Sequence, residues 1–400
     1  MKILIVNKFL HPNGGSETYI FKLGAELIRQ GNEVQYFGME HENRIVGNHA
    51  EVYTSNMDFH KGKLGSLFYP FKVIYSIEAA NKIRKVLEDF NPDVVHLNNF
   101  NFQLTPSIIY AVKRHEKKYG SHIRLVYTAH DVQLVCPNHL MQNPVTLECC
   151  EACLKQGGWQ CVKRKCIHNS RIKSILGALE AKIYKSLKTY RKIDVIICPS
   201  RFLKNKLDTD VILREKTVVL RNFVDMHVKT GNVAKEDYIL YFGRYSQEKG
   251  ILTLLEACKK LPDINFHFAG SGPLEKEIEK VGNTKVLGFL EGEELENEIA
   301  KAQLVVFPSE WYENCPFTVM ESQLCGTPVL GTDLGGTPEL LEDGVTGELF
   351  ESGNVDILSE KLRYLWKNKE QLHVYTENCK KINFDTVEKY VTKLIKLYMN

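Results

Sequence analysis

The sequence lacks any apolar run close to the roughly 20 residues that a membrane-spanning helix requires. Its first residues, Met1–Asn7, carry one lysine and an apolar stretch shorter than the roughly 7–15 residues of a secretory signal. We therefore read this stretch as a first β-strand. We expect a cytoplasmic protein, with the inner face of the cell membrane as an alternative location.

Strong charge of one sign is also missing. The 52 basic and 49 acidic residues leave a net charge of +3, which is too small to indicate a nucleic-acid partner. The chain shows no low-complexity tract and no internal repeat of solenoid length. Its eleven cysteines are an odd number without an export signal, which argues against a disulfide framework and favours free or metal-bound thiols.

Short β-branched runs alternate with longer amphipathic stretches along the chain. Thr18–Gln30, for example, places apolar side chains at helical spacing and ends at Gly31. Such alternation predicts parallel sheets with right-handed helical crossovers. The runs that predict strands are Lys2–Val6, Glu33–Phe37, Asp93–Leu97, Arg124–Thr128, Val195–Cys198, Tyr238–Phe242, Ile264–Ala269, Leu304–Phe307 and Val329–Gly331.

The 400 residues suffice for two domains, and the alternation forms two series. We therefore predict an α/β protein with two Rossmann-like domains that face each other across a cleft holding the active site. The first domain covers residues 1–228 and includes an irregular, cysteine-rich insert at about 136–169. After a polar linker, the second domain covers 236–383, and a helix at about 384–400 is expected to pack back on the first domain.

Glycine or basic residues follow the first strand of each series, where open parallel sheets bind ligands. Gly14 and Gly15 would let the backbone approach a phosphate, although many strand–helix turns carry glycine for steric reasons. Arg244 and Lys249 lie five positions apart on one loop that enters a helix. A guanidinium fork and a mobile ammonium can together hold a diphosphate. The alternative is a solvated loop with scattered charges.

Two carboxylates and a histidine complete the candidate site. Glu313 and Glu321 lie eight positions apart, and Pro316 between them suits the first turn of a helix. Carboxylates at these positions can bind sugar and ribose hydroxyls, although a helix start is often acidic without binding anything. His130 follows a strand of the first series and should face the cleft, but a lone histidine is more often structural.

These residues belong to an ordered set of short motifs. The motifs are Gly14-Gly15 with Glu17, Pro92–His96, His130-Asp131, Pro199-Ser200, Asn222 with Asp225, Gly243-Arg244 with Lys249-Gly250, Ala269–Pro273, Pro308–Pro316 with Glu321-Ser322, Gly326–Val329, and Gly335-Gly336 with Glu339-Leu340. As a set, they resemble the signature of the family-four retaining glycosyltransferases (glycosyl transferases group 1), which have the GT-B fold. The resemblance covers nearly the whole chain.

The resemblance implies roles for the candidate residues. Arg244 and Lys249 would neutralise the diphosphate leaving group, Glu321 would hold the ribose, and Glu313 would hold the transferred sugar. His130 would lie near that sugar. The implied catalytic residues are His130, Arg244, Lys249 and Glu313, and the implied donor-binding residues are Gly14, Gly15, Gly243, Gly270, Gly272, Phe289, Asn314, Cys315, Pro316, Phe317 and Glu321.

The resemblance also implies a reaction. It is a retaining, metal-independent transfer of a hexose-type sugar from a UDP- or GDP-sugar to a glycan or lipid-linked acceptor, in cell-surface polysaccharide or lipopolysaccharide synthesis. No carboxylate is evident as the nucleophile that retaining hydrolases use, so we expect same-face attack with the leaving phosphate as base. The alternatives are a non-catalytic nucleotide-sugar or glycan-binding scaffold and a nucleotide-sugar epimerase of the same fold.

Six of the eleven cysteines fall between Cys136 and Cys166. The spacing of four of them is closest to a structural zinc knuckle, although it is not that of a standard finger. These predicted ligands are Cys150, Cys153, Cys161 and Cys166. Cys136, Cys149 and His168 are alternative ligands, and reduced free thiols, an iron–sulfur centre or disulfides are alternative states.

A basic segment follows the cysteines. Residues Lys163–Lys192 contain ten basic residues and one acid, and their apolar residues lie at helical spacing from Ile172 to Leu187. A basic amphipathic helix can lie on an anionic membrane, which would make the protein peripherally membrane-associated. The alternative is that the apolar face packs on the core of the domain.

Overall fold

The computed structural model describes residues 1–56, 69–226 and 233–400. These residues fall into two units. Unit 1 consists of Met1–Val145, Cys150–Asn222 and Val387–Asn400, and unit 2 consists of Thr146–Cys149 and Phe223–Thr386. The predicted linker between 228 and 236 lies partly outside the described residues. Within the described ranges, no helix is long and apolar enough to span a bilayer.

A parallel six-stranded sheet forms the centre of unit 1. Its strands are β1 (Lys2–Val6), β2 (Glu33–Phe37), β3 (Val94–Leu97), β4 (Arg124–Thr128), β5 (Val195–Cys198) and β6 (Thr217–Val219). The spatial order is β2-β1-β3-β4-β5-β6, so the direction of winding reverses between β1 and β3. All four residues of β3 and of β5 are buried, as expected for strands covered by helices on both faces.

Nine α-helices connect these strands in the described part of unit 1 up to Asn222. They are α1 (Gly15–Arg29), α2 (Tyr69–Ile74), α3 (Ile77–Phe90), α4 (Ser107–Tyr119), α5 (Ala152–Gln156), α6 (Trp159–Lys163), α7 (Arg171–Ser186), α8 (Arg201–Leu207) and α9 (Val211–Arg214). The local sequence sets their ends. The Ser76 hydroxyl caps α3 by accepting a hydrogen bond from the Ala79 amide at 3.1 Å, and Asn91 ends α3 in a left-handed conformation.

Unit 2 contains a second parallel six-stranded sheet. Its strands are β7 (Ile239–Arg244), β8 (Phe266–Ser271), β9 (Thr284–Gly288), β10 (Leu304–Phe307), β11 (Val329–Thr332) and β12 (Gly347–Phe350). The spatial order β12-β11-β10-β7-β8-β9 is the order typical of dinucleotide-binding folds, and it reverses between β7 and β10.

Two apolar clusters cover the two faces of this second sheet. One contains Ile239, Phe268 and Leu362, and the other contains Leu240, Val305 and Met320. Successive residues of β7 alternate between the two clusters, because side chains of a strand point to opposite faces. The helices of unit 2 are α10 (Ile251–Lys260), α11 (Glu275–Glu279), α12 (Gly292–Lys301), α13 (Phe317–Leu324), α14 (Val355–Lys367) and α15 (Lys369–Cys379).

The last helix, α16 (Val387–Met399), belongs to unit 1. The Tyr390 hydroxyl lies 2.8 Å from that of Tyr19 on α1. The Tyr398 hydroxyl lies 2.7 Å from Nδ1 of His96 on β3. These buried hydrogen bonds join the end of the chain to the first sheet.

The predicted fold class, α/β with two Rossmann-like domains, is confirmed by the two sheets. The prediction that the insert is irregular is wrong, because α5 and α6 lie within it. Each of these helices has only five residues, which is less than two turns and too short to give a helical period in the sequence.

Candidate active site

Ligands of open parallel sheets bind beyond the carboxyl ends of the strands, at the point where the strand order reverses. In unit 2 this point lies between β7 and β10. The loop after β7 carries Lys249, and β7 itself ends at the exposed Arg244. The loop after β10 carries Glu313 and leads into α13. The topology therefore brings together candidates that lie 64 positions apart in sequence.

The Glu313 carboxylate is the centre of this group. Its Oε1 accepts hydrogen bonds from Lys249 Nζ at 2.5 Å, Trp311 Nε1 at 2.7 Å and Ser309 Oγ at 2.9 Å. The Lys249 ammonium also lies 4.7 Å from the centre of the Trp311 ring. Glu313 is 13% exposed and Lys249 is 23% exposed, so this ion pair is screened less than a surface pair. The Lys249 ammonium is therefore a fixed cation at the crevice that a ligand can still contact.

Glycines hold the two loops of this crevice together. Gly250 has φ of +73°, and a Cβ there would lie 1.9 Å from the carbonyl oxygen of Pro308. Gly335 has φ of +66°, and a Cβ there would lie 2.4 Å from the carbonyl oxygen of Glu313. The Gly336 amide donates a hydrogen bond to the same Glu313 oxygen at 2.7 Å. The backbone on both sides of the carboxylate is therefore fixed by contacts that only glycine permits.

The predicted glycines of β7 and β8 also form close backbone contacts. A Cβ on Gly270 would lie 2.0 Å from the carbonyl oxygen of Gly243, and one on Gly272 would lie 2.6 Å from that of Tyr245. The exposed Gly243 immediately precedes Arg244, whose carbonyl accepts a hydrogen bond from the Tyr241 hydroxyl at 2.8 Å. These contacts fix the backbone that carries the guanidinium.

The remaining donor-binding candidates of unit 2 lie at the start of α13 and after β9. Pro316 is the residue before α13, which begins at Phe317. Cys315 is buried, Asn314 is half-buried, and Glu321 is half-buried within the helix. The Phe289 ring is 71% exposed just after β9, the outermost strand. The amides at the start of α13 and its dipole make this end of the helix favourable for negative charge.

In unit 1 the strand order reverses between β1 and β3, and Gly14 and Gly15 lie beyond β1. Gly14 is exposed and precedes α1, whose first residue is Gly15. The buried Glu17 carboxylate accepts hydrogen bonds from Asn7 Nδ2 at 2.8 Å and Ser16 Oγ at 3.0 Å. Burial nevertheless raises the pKa of Glu17. The first turn of α1 is thus anchored to the end of β1.

His130 lies just beyond β4. Its Nε2 lies 2.8 Å from Asn98 Oδ1, and since that oxygen can only accept, Nε2 carries the hydrogen. The ring packs edge-on against Tyr19, with centroids 5.1 Å apart. Burial lowers the pKa of His130 to about 4, so the imidazole is neutral at pH 7 and Nδ1 can accept a proton or a hydrogen bond. Burial also raises the pKa of the adjacent Asp131 to about 6.

The predicted zinc site is not assembled. None of the eleven cysteines, which all lie among the described residues, forms a disulfide, and no group of three or more His, Cys, Asp or Glu side chains in this part of the chain could hold a metal ion. Cys150 Sγ accepts a hydrogen bond from Arg164 at 3.5 Å, and Cys153 Sγ lies 3.9 Å from the Gly158 carbonyl oxygen. A hydrogen bond from the Cys161 thiol lowers the pKa of Cys166 to about 7. The spacing predicted a shared centre, but only Cys161 and Cys166 contact each other, and Cys150 and Cys153 have other hydrogen-bond partners.

Sequence reasoning missed several residues that position the candidates. Ser309 and Trp311 hold Glu313, Gly335 and Gly336 fix its backbone, and Asn98 orients His130. The only signal for Trp311 was a large aromatic residue in a loop. The motif containing Gly335 and Gly336 was recognised, but its contact with Glu313 connects positions too far apart to be read from sequence.

Comparison with known proteins identifies related chains. Residues 13–228 match the family model described as Glycosyltransferase Family 4, and residues 223–382 match the model described as Glycosyl transferases group 1. An uncharacterized glycosyltransferase of Methanocaldococcus jannaschii is 31% identical over 196 residues, which are 48% of this chain and 54% of that protein. The uncharacterized 42.6 kDa protein in the cps region of Klebsiella pneumoniae is 25% identical over 361 residues, 85% of this chain and 87% of that protein.

A solved structure shares the whole fold. The Anabaena protein HepE, crystallised in complex with UDP and glucose, has a TM-score of 0.67 and 17% identity. The alignment covers 100% of both chains. The GT-B fold predicted from the sequence is confirmed by this likeness.

Proposed function

The chain belongs to glycosyltransferase family 4, and on this premise we propose that it transfers a hexose-type sugar from a nucleoside diphosphate donor to a glycan or lipid-linked acceptor. The observation that carries the proposal is the Lys249–Glu313 pair, which lies with Arg244 at the crevice of the second sheet. A diphosphate needs fixed cations, and a sugar needs a carboxylate that accepts from its hydroxyls. This crevice offers both.

We propose a uridine nucleotide as the donor's carrier, with guanosine as the alternative. HepE, which has the same fold, was crystallised with UDP and glucose. In this chain, Glu321 on α13 would hold the ribose, and the Gly270–Gly272 turn and Phe289 would lie beside the base. Gly14 and Gly15 would approach the phosphates through their amides.

The proposed mechanism rests on stabilising the leaving group. Cleavage between the anomeric carbon and the phosphate leaves negative charge on the diphosphate, and Arg244, Lys249 and the start of α13 stabilise that charge. Entry of the diphosphate gives Lys249 a second anionic partner, while Glu313 turns to the sugar hydroxyls. Attack from the same face, with the leaving phosphate as base, retains the anomeric configuration, and no step requires a metal ion. Neutral His130 would accept a hydrogen bond from the sugar or the acceptor.

The proposed setting is the synthesis of a cell-surface polysaccharide or lipopolysaccharide. A relative aligned over most of both chains is a protein of a cps region. We place the enzyme in the cytoplasm, with peripheral contact to an anionic membrane through the basic segment.

The first experiment is a thermal-shift screen with UDP, GDP, ADP and their sugar conjugates. A nucleotide at a hundred times its Kd should add about 2.7 kcal/mol to the free energy of unfolding. We expect one base to stabilise the wild type and Arg244→Ala to abolish that shift. A chain that responds to no nucleotide would contradict the proposal and favour a non-catalytic glycan-binding scaffold. Release of an altered nucleotide-sugar without any acceptor would instead identify an epimerase.

A further inference from the structure

A cavity of about 410 Å³ lies in unit 1, and none of Gly14, Gly15 and His130 lines it. It is enclosed by the segment after β4, the helices α5–α7 and the helix α9. Most of its wall is apolar, including Leu134, Val135, Pro137, Leu154, Ile212 and Leu213. The volume is within the range of small-molecule sites, roughly 300–1,000 Å³.

Lysines stand at the α7 side of this cavity. Lys182, Lys185 and Lys188 all line it and are all exposed. Lys185 is paired with Asp210 at 3.1 Å. Neither Lys182 nor Lys188 has a carboxylate within 4.0 Å among the residues that the structure describes. Two uncompensated ammonium groups therefore border an apolar cavity.

The apolar face expected for α7 from its sequence is not its buried face. Ile172, Ile183 and Leu187 are 73%, 36% and 59% exposed. The helix instead buries a different set, which consists of Ser174, Gly177, Ala178, Glu180 and Tyr184. Small residues at this contact let α7 approach the domain closely, and Ile172, Ile183 and Leu187 remain exposed while Ile175, Leu176 and Leu179 are half-buried. Ile172, Ile183 and Leu187 thus form an exposed apolar stripe on a face of α7 different from the one that carries Lys182 and Lys185 at the cavity.

We propose that this cavity binds the hydrocarbon chain of an anionic amphiphile, with its phosphate held by Lys182 and Lys188. The mostly apolar wall favours a hydrocarbon chain, and the two cations without a carboxylate partner favour a negatively charged head. A hydrophobic chain joined to a phosphate satisfies both conditions. The inference rests on the proposed function and narrows it, because it makes the acceptor a lipid-linked phosphate rather than a free glycan.

The position of the cavity suits such an acceptor. Its wall begins at Leu134, four residues after His130. Four residues span at most about 14 Å. The Leu134 side of the cavity therefore lies within about 14 Å of His130 at the carboxyl edge of β4.

The test uses single-chain alkyl phosphates below their micelle concentrations. Trp159 lines the cavity and is 47% exposed, so its fluorescence should change when a chain enters. Octyl, decyl and dodecyl phosphate should bind with affinities that rise by about fourfold per methylene while the chain still fits. Inorganic phosphate alone should give no signal, and Trp159→Phe should remove the signal. A Kd that is independent of chain length would overturn the proposal.

Two variants with the same change of charge test whether Lys182 and Lys188 bind the phosphate specifically or act only through the overall positive charge of the segment. The double variant Lys182→Glu with Lys188→Glu should weaken the binding of decyl phosphate by about tenfold or more. Its affinity for 1-decanol should be unchanged. Lys163→Glu with Lys173→Glu makes the same change of charge on exposed residues that do not line the cavity, and it should have little effect. Equal weakening by both pairs would show a diffuse electrostatic effect and refute the site.

A third variant tests the cavity itself. Ala181→Phe fills space on the α7 wall and should abolish binding of decyl phosphate, with the thermal unfolding midpoint as a check on folding. Anionic vesicles provide the competing outcome. If the protein binds vesicles but no monomeric alkyl phosphate, the surface docks on a bilayer and the proposal fails.

The failure of this inference is distinguishable from the failure of the proposed function. The cavity variants should keep the wild-type nucleotide-induced thermal shift, since they alter only unit 1 residues outside the donor candidates. A normal nucleotide shift without alkyl phosphate binding would reject the cavity alone. Loss of the nucleotide response in the unmutated chain would reject the transferase.

Discussion

The two sheets each form a crevice where their strand order reverses, but the two crevices differ in charge. In unit 2, Lys249 and Glu313 form an ion pair at 2.5 Å, and the exposed Arg244 ends β7 five positions before Lys249. In unit 1, amides and a neutral imidazole stand at the corresponding edge, with His130 hydrogen-bonded to Asn98. The same strand topology can therefore present two different chemical surfaces to a ligand. The crevice with fixed cations suits a diphosphate, and the crevice with an uncharged imidazole suits hydroxyl groups.

The largest expected effect comes from removing the cation of the charged crevice. Lys249→Ala should lower kcat/KM by about 10²–10³, because it removes transition-state stabilisation and leaves Glu313 unpaired opposite the diphosphate. Rates are measured with the donor that the thermal-shift screen identifies. Lys259→Ala, an exposed position on α10, is the matched control and should retain wild-type kinetics. Equal rates in both variants would show that the Lys249 cation does not contribute to catalysis.

The next effect tests the backbone that shapes that crevice. Gly250 and Gly353 have nearly the same φ, +73° and +75°. A Cβ on Gly250 would lie 1.9 Å from a carbonyl oxygen, whereas a Cβ on Gly353 would meet no described atom within 4 Å. Gly353→Ala should cost about 1–2 kcal/mol of folding free energy from backbone strain alone. Gly250→Ala should cost about 1–3 kcal/mol more, because of the steric clash, and should weaken donor binding.

Urea unfolding followed by Trp311 and Trp366 fluorescence compares these two glycine variants within unit 2. Similar losses of stability would mean that Gly250 is required only for its backbone conformation. The close approach of the two loops would then contribute nothing.

A pH experiment tests whether His130 in the other crevice is uncharged. The folded-state pKa of His130 is about 4, below the ordinary value of 6.5. As pH falls from about 6.5 to about 4, the unfolded chain takes up a proton that the folded chain does not, so stability is lost in that window. His130→Gln removes this titration and keeps an amide that can donate to Asn98. The wild type should therefore lose about 2 kcal/mol relative to the variant between pH 7 and pH 5.

Urea denaturation at the two pH values measures that difference, and the comparison of wild type with variant cancels other groups such as Asp131. A stability difference that does not change with pH would mean that His130 is protonated normally in the folded protein. The difference in charge between the two crevices would then be smaller.

The smallest effect concerns a single hydrogen bond to Glu313. Ser309→Ala removes the donor at 2.9 Å and leaves those from Lys249 and Trp311. Loss of one such bond should weaken donor binding by about fivefold, or about 1 kcal/mol. Isothermal titration with the donor nucleotide-sugar measures it. Ser359→Ala, whose hydroxyl bonds within α14 to the Val355 carbonyl, should leave the affinity unchanged.

Much of the fold could be predicted from the sequence because its long strands and helices carry strong periodic patterns. Lys2–Val6 is a strand as expected, and the helix expected at Thr18–Gln30 corresponds to α1 (Gly15–Arg29). Three strands were not predicted, and they are β6, β9 and β12. Two of them, β9 and β12, carry half-buried residues and glycine, and β6 has only three residues, so none gives a continuous buried run.

The candidate site could be predicted as a set of residues but not as an arrangement. The sequence motifs identified Lys249 and Glu313 independently of each other. They assigned Lys249 to the diphosphate and Glu313 to the transferred sugar. Their direct contact depends on β7 and β10 being neighbours, which follows from the strand order rather than from local sequence. The cysteine prediction failed for the related reason that spacing does not determine where a thiol points, as Cys150 and Arg164 illustrate.

The return of α16 to unit 1 has a consequence for biosynthesis. Tyr19 and its partner Tyr390 are separated by 371 positions. A ribosome adding about 5–20 residues per second needs roughly 20–75 seconds to make that stretch. Throughout this interval the nascent first sheet lacks its last helix, while most of unit 2 emerges as one contiguous segment. Unit 2 can therefore finish folding on the ribosome before unit 1 does, although unit 1 is translated first.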